Sequence, residues 1–198
     1  MPLEVSRETR GSLDRFATLL LRWNRTVNLI SRADEPHLWE RHIGDSLQLL
    51  PLIDSGSARA IDLGSGAGFP GLILALASGV HFDLVEADRR KCAFLREAAR
   101  VTGAPVKVHT VRTEAAALEP APLVTARALA PLATLLQMAA PLLSAGGQCL
   151  FLKGETVTAE LTHAATKWQM LVDRIPSQTR PNACILRISH LARVRPSP

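Results

Sequence analysis

Between Ile61 and Gly71 the chain reads Ile-Asp-Leu-Gly-Ser-Gly-Ala-Gly-Phe-Pro-Gly. A short apolar run, Ala60 to Leu63, leads into the glycines, and a helical pattern follows from Pro70 to Ala77. A strand that turns through glycines into a helix brings its backbone close to a ligand at the carboxyl end of a sheet. Two chemistries compete for this loop. Gly66, Gly68 and Gly71 make a literal GxGxxG, and Glu86 follows at the end of the next apolar run, where an acid would hold ribose hydroxyls. That reading is a dinucleotide site and an NAD-dependent oxidoreductase. The other reading starts from Asp62, two residues before Gly64. A carboxylate there would repel a pyrophosphate and attract the ammonium of S-adenosylmethionine. The spacing Gly64-x-Gly66-x-Gly68, with Ser65 between, also fits a methyltransferase loop better. The cofactor expected on this ground is S-adenosyl-L-methionine.

Other segments add to the site. Arg112-Thr113-Glu114 follows a third strand, where backbone at Thr113 and Glu114 could read an adenine edge or simply start a helix. Arg127 closes a fourth strand among apolar residues, where an arginine is costly without a partner. A salt bridge to Glu86 or Glu114 would supply one. Lys153 stands alone after a fifth strand.

The rest of the chain must position these groups. After residue 58, strands and helices alternate: Phe82–Glu86, Arg89–Val101, Val106–His109, Leu123–Ala126, Pro131–Leu143 and Gln148–Lys153. Ala145-Gly146-Gly147 reads as the cap closing the helix from Pro131. That order calls for a parallel sheet covered by helices on both faces. A helix over 157–167 and two further strands, Leu171–Ile175 and Ala183–Ile188, end the chain as an antiparallel hairpin. The first 58 residues read as a helical extension. Phe16, Leu19, Leu20 and Trp23 form one stripe, with Ser12 as its expected N-cap. Leu38, Trp39, Ile43, Leu47 and Leu50 form a second, starting near Glu35-Pro36, and Pro51–Ser57 reads as a linker. The expected division is an extension over 1–58 and a methyltransferase domain over 59–198, together one compact unit.

Composition narrows the classes. The 198 residues suit one domain and leave little room for a separate substrate domain. No apolar run reaches the ~20 residues of a membrane span, and Met1–Arg10 lacks the apolar core of a signal peptide. The cysteines, 3 in number, are widely spaced and suit neither disulfides nor a metal site, so a cytoplasmic protein without metal is expected. The net charge of +5 lies mostly towards the C-terminal end, because residues 156–198 hold 6 basic and 2 acidic residues. Such charge suits a polyanion, although codon bias towards arginine would produce it equally.

Target chemistry leaves marks of its own. Methylation of an adenine amino group goes with an Asn/Asp-Pro-Pro-aromatic motif, and here that place reads Ala126-Arg127-Ala128-Leu129. A pyrimidine carbon needs a cysteine nucleophile. Cys92, Cys149 and Cys184 all read as small core residues. Guanine N7 carries an in-plane lone pair and needs no general base, so none is expected. Alignment and electrostatics can carry such a reaction.

On these residues the chain resembles the small-subunit ribosomal RNA guanine-N7 methyltransferase family (RsmG, also called GidB). The resemblance rests on Arg22-Trp23-Asn24 through Asn28-Leu29 and on Arg41-His42-Ile43-x-Asp45-Ser46-Leu47. It continues through Asp62 to Gly71, Arg112 to Glu114, Arg127 and Leu152-Lys153-Gly154. It implies an α/β fold of the class I, Rossmann-like S-adenosylmethionine-dependent methyltransferases, with a mostly parallel sheet ending in an antiparallel hairpin. It implies that Gly64, Phe69, Thr113, Glu114 and Arg127 line the cofactor site, with Glu86 at the ribose. Asp62, Ser65, Gly66 and Gly68 complete the expected cofactor set. The implied substrate is a guanine of 16S ribosomal RNA in the decoding-region loop, at nucleotide position 527, met as RNA or as the small ribosomal subunit. Asn28, Arg41, His42, Asp45, Ser46, Arg127 and Lys153 are the substrate-side candidates. Asn28, His42, Asp45 and Ser46 could equally dock the extension onto the sheet through buried hydrogen bonds. Leu129 stands where many relatives have an aromatic, which leaves Phe69, a tryptophan or no residue at all to stack on the target base. A monomer is expected. A non-catalytic RNA-binding module on the same fold is the third reading.

Overall fold

Helix α1 (Arg7–Asn24) starts where the Ser6 hydroxyl accepts the amide of Thr9, and it buries Leu13, Phe16, Ala17 and Leu20. The expected cap, Ser12, instead lies inside the helix and is buried. The cause is local: the first turn is held by its cap and carries no apolar stripe, so periodicity begins too late. In this computed structural model, residues 5–54 and 56–194 are described. Parts of the Met1–Arg10 segment, of the Pro51–Ser57 linker and of the basic C-terminal stretch therefore fall outside the described residues.

The second expected helix is a run of changing pitch. A 3-10 segment (Arg32–His37) capped by Ser31 gives way to a π-helical turn (Trp39–Gly44), then to the short α2 (Asp45–Leu47). A π turn carries more residues than an α turn and is frequent at functional sites. The turn and the start of α2 bring His42 and Asp45 to Arg127 of the sheet, and both are buried.

Strands β1 (Arg59–Leu63), β2 (His81–Glu86), β3 (Val106–Thr110), β4 (Ala121–Arg127) and β5 (Leu143–Lys153) are parallel, and β6 (Trp168–Pro176) and β7 (Cys184–Arg193) are antiparallel. The sheet order is β3-β2-β1-β4-β5-β7-β6. Helices α3 (Gly71–Ser78), α4 (Arg89–Thr102), α5 (Leu132–Ala139) and α6 (Val157–Ala165) cover its faces. One core joins α1, the mixed-pitch segment, α3 and α4 to the sheet through Phe16, Ile43, Leu72, Phe82 and Phe94. The other joins α5 and α6 to the sheet through Leu132, Leu136, Phe151, Val157 and Ala164.

The pair Gly146-Gly147 does not cap α5. A 3-10 turn with Pro141 ends that helix, and the glycines lie within β5 at a register shift against β4. A side chain at Gly147 would come within 2.8 Å of the Pro122 carbonyl, so the bulge needs glycine there. The strand order reverses between β1 and β4, so the crevice at their carboxyl ends is where such sheets bind ligands.

Candidate active site

The glycine loop forms one wall of that crevice. Gly64, Gly66 and Gly68 have φ of 65°, 56° and 94°, a region that disfavours side chains. A side chain at Gly64 would meet Leu129 Cδ1 at 2.5 Å. The Glu86 carboxylate holds the loop from below: Oε2 accepts the Gly66 amide at 2.9 Å and Oε1 the Asp88 amide at 2.8 Å. Glu86 thus spans the loop backbone and the start of α4.

Asp62 is not where the ammonium argument put it. It has 0% exposure and lies beneath the loop, against the start of α3. Its Oδ1 accepts the Thr125 hydroxyl at 2.7 Å, while Oδ2 is buried without a hydrogen-bond partner. The register explains this: Asp62 pairs with Thr125 across β1 and β4, so both side chains share the face that α3 covers. Burial pushes its carboxyl up to about 6, against the Thr125 hydrogen bond.

Arg127, at the end of β4, forms the opposite wall. Its guanidinium donates to the Arg41 carbonyl at 3.2 Å, to Asp45 Oδ2 at 3.4 Å and to His42 Nδ1 at 2.8 Å. Its partner is therefore Asp45, not Glu86 or Glu114. Because Nδ1 accepts, His42 is neutral and carries its proton on Nε2, which is buried without an acceptor. Burial, then the Arg127 charge, push its pKa down to about 4. Asp45 Oδ1 also accepts from Thr179 at 2.7 Å and from Gln48 at 2.8 Å. Ala128, directly after Arg127, takes φ 51°, a strained turn at the cavity wall.

Phe69 is 4% exposed, and its ring is already in use. His42 stacks on it with centroids 5.0 Å apart, Phe16 meets it edge-on at 5.6 Å, and Arg127 lies 4.9 Å from its centre. It cannot offer a free face to a base. Trp23, Trp39 and Trp168 pack instead against Phe94, Arg10 and Arg193. The cysteines are buried, and burial pushes the Cys149 thiol up to about 12, as suits a core residue.

A cavity of about 530 Å³ lies between these walls. Gly64, Ser65, Gly66, Phe69, Arg127 and Lys153 line it, as do His42 and Asp45. Gly68, Asp62, Glu86, Thr113, Glu114, Asn28, Arg41 and Ser46 are not among its lining residues. Thr113 and Glu114 form a short 3-10 turn beyond β3, Arg41 pairs with Asp34 outside, Ser46 bonds back to the His42 carbonyl and Asn28 is exposed. Lys153 is not isolated: its ammonium pairs with Glu160 and donates to the Ala130 carbonyl. Glu160, Ser177 and Arg180 are further polar residues of the lining that the sequence did not single out. Only the demand of Lys153 for a partner hinted at Glu160. The volume is that of a cofactor pocket, and the close backbone approach at Gly64 and Gly66 fits S-adenosylmethionine.

Asp62 and His42 tie stability to pH with opposite signs. The folded pKa of Asp62, about 6, exceeds the ordinary 3.8, so its contribution is complete below pH ~4 and is lost as pH rises to 6. The folded pKa of His42, about 4, lies below the ordinary 6.5, so its contribution is complete above that value and is lost as pH falls to 4. Asp34, held at about 2 mainly by Arg41, acts below this window. The two slopes nearly cancel from pH ~4 to ~6 in the parent protein. Asp62→Asn should therefore gain stability with rising pH over this window, and His42→Gln should lose it. Denaturant titrations at both ends of the window check this, and parallel curves for the two variants would contradict it.

The family described as "GidB: rRNA small subunit methyltransferase G" matches residues 10–183. The chain is 56% identical over 190 residues to the Ribosomal RNA small subunit methyltransferase G of Granulibacter bethesdensis, covering 96% of this chain and 89% of that protein. It is 54% identical over 190 residues to the protein of the same name from Gluconobacter oxydans, covering 96% and 98%. The chain belongs to this family.

For the ribosomal RNA small subunit methyltransferase G family, the resemblance carried by the Arg-His-x-x-Asp-Ser and Gly-Phe-Pro-Gly segments holds over most of the chain. The fold agrees with solved methyltransferases. The N-methyltransferase NodS of Bradyrhizobium japonicum, solved with S-adenosyl-L-homocysteine, aligns with TM-score 0.60 at 16% identity, covering 88% of this chain and 97% of that one. The M. jannaschii TYW2 protein, solved with S-adenosylmethionine, aligns with TM-score 0.57 at 14% identity, covering 77% and 74%. The class I methyltransferase fold, with its terminal antiparallel hairpin, is thus the observed one.

Proposed function

We propose that the protein transfers a methyl group from S-adenosyl-L-methionine to N7 of a guanine in the decoding-region loop of 16S ribosomal RNA. The observation that carries this is the cavity between the glycine loop and Arg127, at the switch point of a chain belonging to the rRNA small subunit methyltransferase G family. A dinucleotide oxidoreductase and a non-catalytic module find no comparable support.

The lining groups suit a nucleophile that keeps no proton to lose. Among the described residues of the cavity, Asp45 is paired with Arg127 and Glu160 with Lys153, and His42 Nδ1 accepts from Arg127. No free base faces the space. When bound, S-adenosylmethionine supplies an electrophilic methyl group on a sulfonium. The chain's part is to bind, to orient and to exclude water. Gly64, Ser65, Gly66 and Gly68 cradle the cofactor, and Glu86, Thr113 and Glu114 continue the site along the ends of β2 and β3. Asp62 acts from beneath, by shaping the loop at Gly71. Arg127, held by His42 and Asp45, divides the cofactor side from the base side. The chain divides into an N-terminal extension over 1–58 and a methyltransferase domain over 59–198, working as one unit. The working form is a cytoplasmic monomer. Among the described residues no helix is long and apolar enough to cross a membrane.

Incubation with labelled S-adenosylmethionine and small subunits or naked 16S RNA tests this. Label is expected at guanine N7, read by cleavage chemistry specific to 7-methylguanosine, with a rate that follows no base between pH ~6 and ~8. Label at adenine or at a pyrimidine carbon would overturn the reading.

A further inference from the structure

Three cations (Arg127, Lys153, Arg180) and two carboxylates (Asp45, Glu160) line the cavity. Arg127 pairs with Asp45 and Lys153 with Glu160. Arg180 is left over. It is exposed, and no ion pair among the described residues includes it. Its charge reaches inward, because it helps hold both His42 and Arg127 below their ordinary pKa values.

The backbone carrying Arg180 is built in advance. The Ser177 hydroxyl accepts the amides of Thr179 and Arg180, each at 3.2 Å. Gln48 accepts the Gln178 amide at 2.9 Å and donates to Ser177 at 3.3 Å. Thr179 donates to Asp45 at 2.7 Å. The loop between β6 and β7 is thereby locked to the mixed-pitch helical segment, and the backbone that carries this unpaired guanidinium is held beside the cavity.

We infer that Arg180 is the phosphate clamp for the target nucleotide, taking a non-bridging oxygen pair of its phosphodiester. This rests on the proposed function and deepens it. A guanidinium presents a fork of donors that matches phosphate. The cofactor's own carboxylate is the other anion in such a site. Position argues against it: the glycine loop follows β1, whereas Arg180 precedes β7, and β4 and β5 lie between. At ~4.8 Å per strand that is about 14 Å, the far side of the cavity.

The test compares Arg180→Ala, Arg180→Gln and Arg180→Lys with the parent protein. Equilibrium binding of 16S RNA should weaken about tenfold for the first two and be partly restored by lysine. The slope of log affinity against log salt should fall by ~1. KM for RNA should rise far more than kcat falls. S-adenosyl-L-homocysteine affinity, by calorimetry, and melting temperature should not move, since the side chain is exposed and unpaired. Unchanged RNA affinity and salt slope would overturn the inference, as would loss of S-adenosyl-L-homocysteine binding. Failure of the parent protein to methylate RNA would instead sink the proposed function, and the binding arm would still read Arg180.

Discussion

Arg127→Ala is expected to abolish methyl transfer and to lower the melting temperature by about 6–12 °C. The guanidinium is nearly buried, with 17% side-chain exposure, and Asp45 beside it has 6%. Its loss strands that buried carboxylate and removes the donor to His42 Nδ1 and to the Arg41 carbonyl. Breaking a buried pair on one side costs about 3–5 kcal/mol. The single long contact to Asp45 puts this case near the lower end, and ~3 kcal/mol in a chain of this size corresponds to the shift stated. Arg127→Lys should keep the charge but not the three-way fork, and so recover only part of the loss. A cycle with Asp45→Asn should show that the two losses are not additive. Thermal melts beside the transfer assay decide it. A variant that melts like the parent protein would mean that Arg127 serves the reaction alone.

Gly71→Ala should cost on the order of 3 kcal/mol although alanine is the better helix former. The added carbon would lie 2.5 Å from Asp62 Cβ and 2.7 Å from its Cγ and Oδ2. Asp62 has no room to retreat, being buried under the loop with Thr125 on its other oxygen. Helix α3 must then lift from β1, an overpacking penalty of about 1–3 kcal/mol or more. The glycine loop enters α3 directly, so affinity for S-adenosyl-L-homocysteine should fall as well. Denaturant midpoints and calorimetry check both effects. Gly79→Ala makes a useful contrast: a side chain there meets nothing within 4 Å, so only its positive φ of 74° would be felt.

The loop was legible because its chemistry is local. Glycines between an apolar run and a helical pattern can only turn sharply, and the structure turns there. The hairpin was legible for the same reason, since two alternating runs around a proline-rich turn have few other arrangements. Asp62 shows where such reading stops. Its place two residues before Gly64 suggested a cofactor contact, but the pleat decides which face a strand residue takes, and this one faces α3. Phe69 was legible as a site residue and misread as a free stacking surface, because His42 and Phe16 come from elements distant in sequence.

By itself the sequence determined the order of strands and helices and the crevice that the glycine loop opens, and its motifs carried the family resemblance. The order and the crevice follow from local turn chemistry and periodicity. Only the tertiary structure decided who partners whom: Arg127 with Asp45, Lys153 with Glu160, and Arg180 with no carboxylate among the described residues. The physical reason is that each buried charge must find its counter-charge through space. The π turn at Trp39–Gly44 and the β6–β7 loop, which deliver His42, Asp45 and Arg180 to one cavity, lie more than a hundred residues apart in the chain.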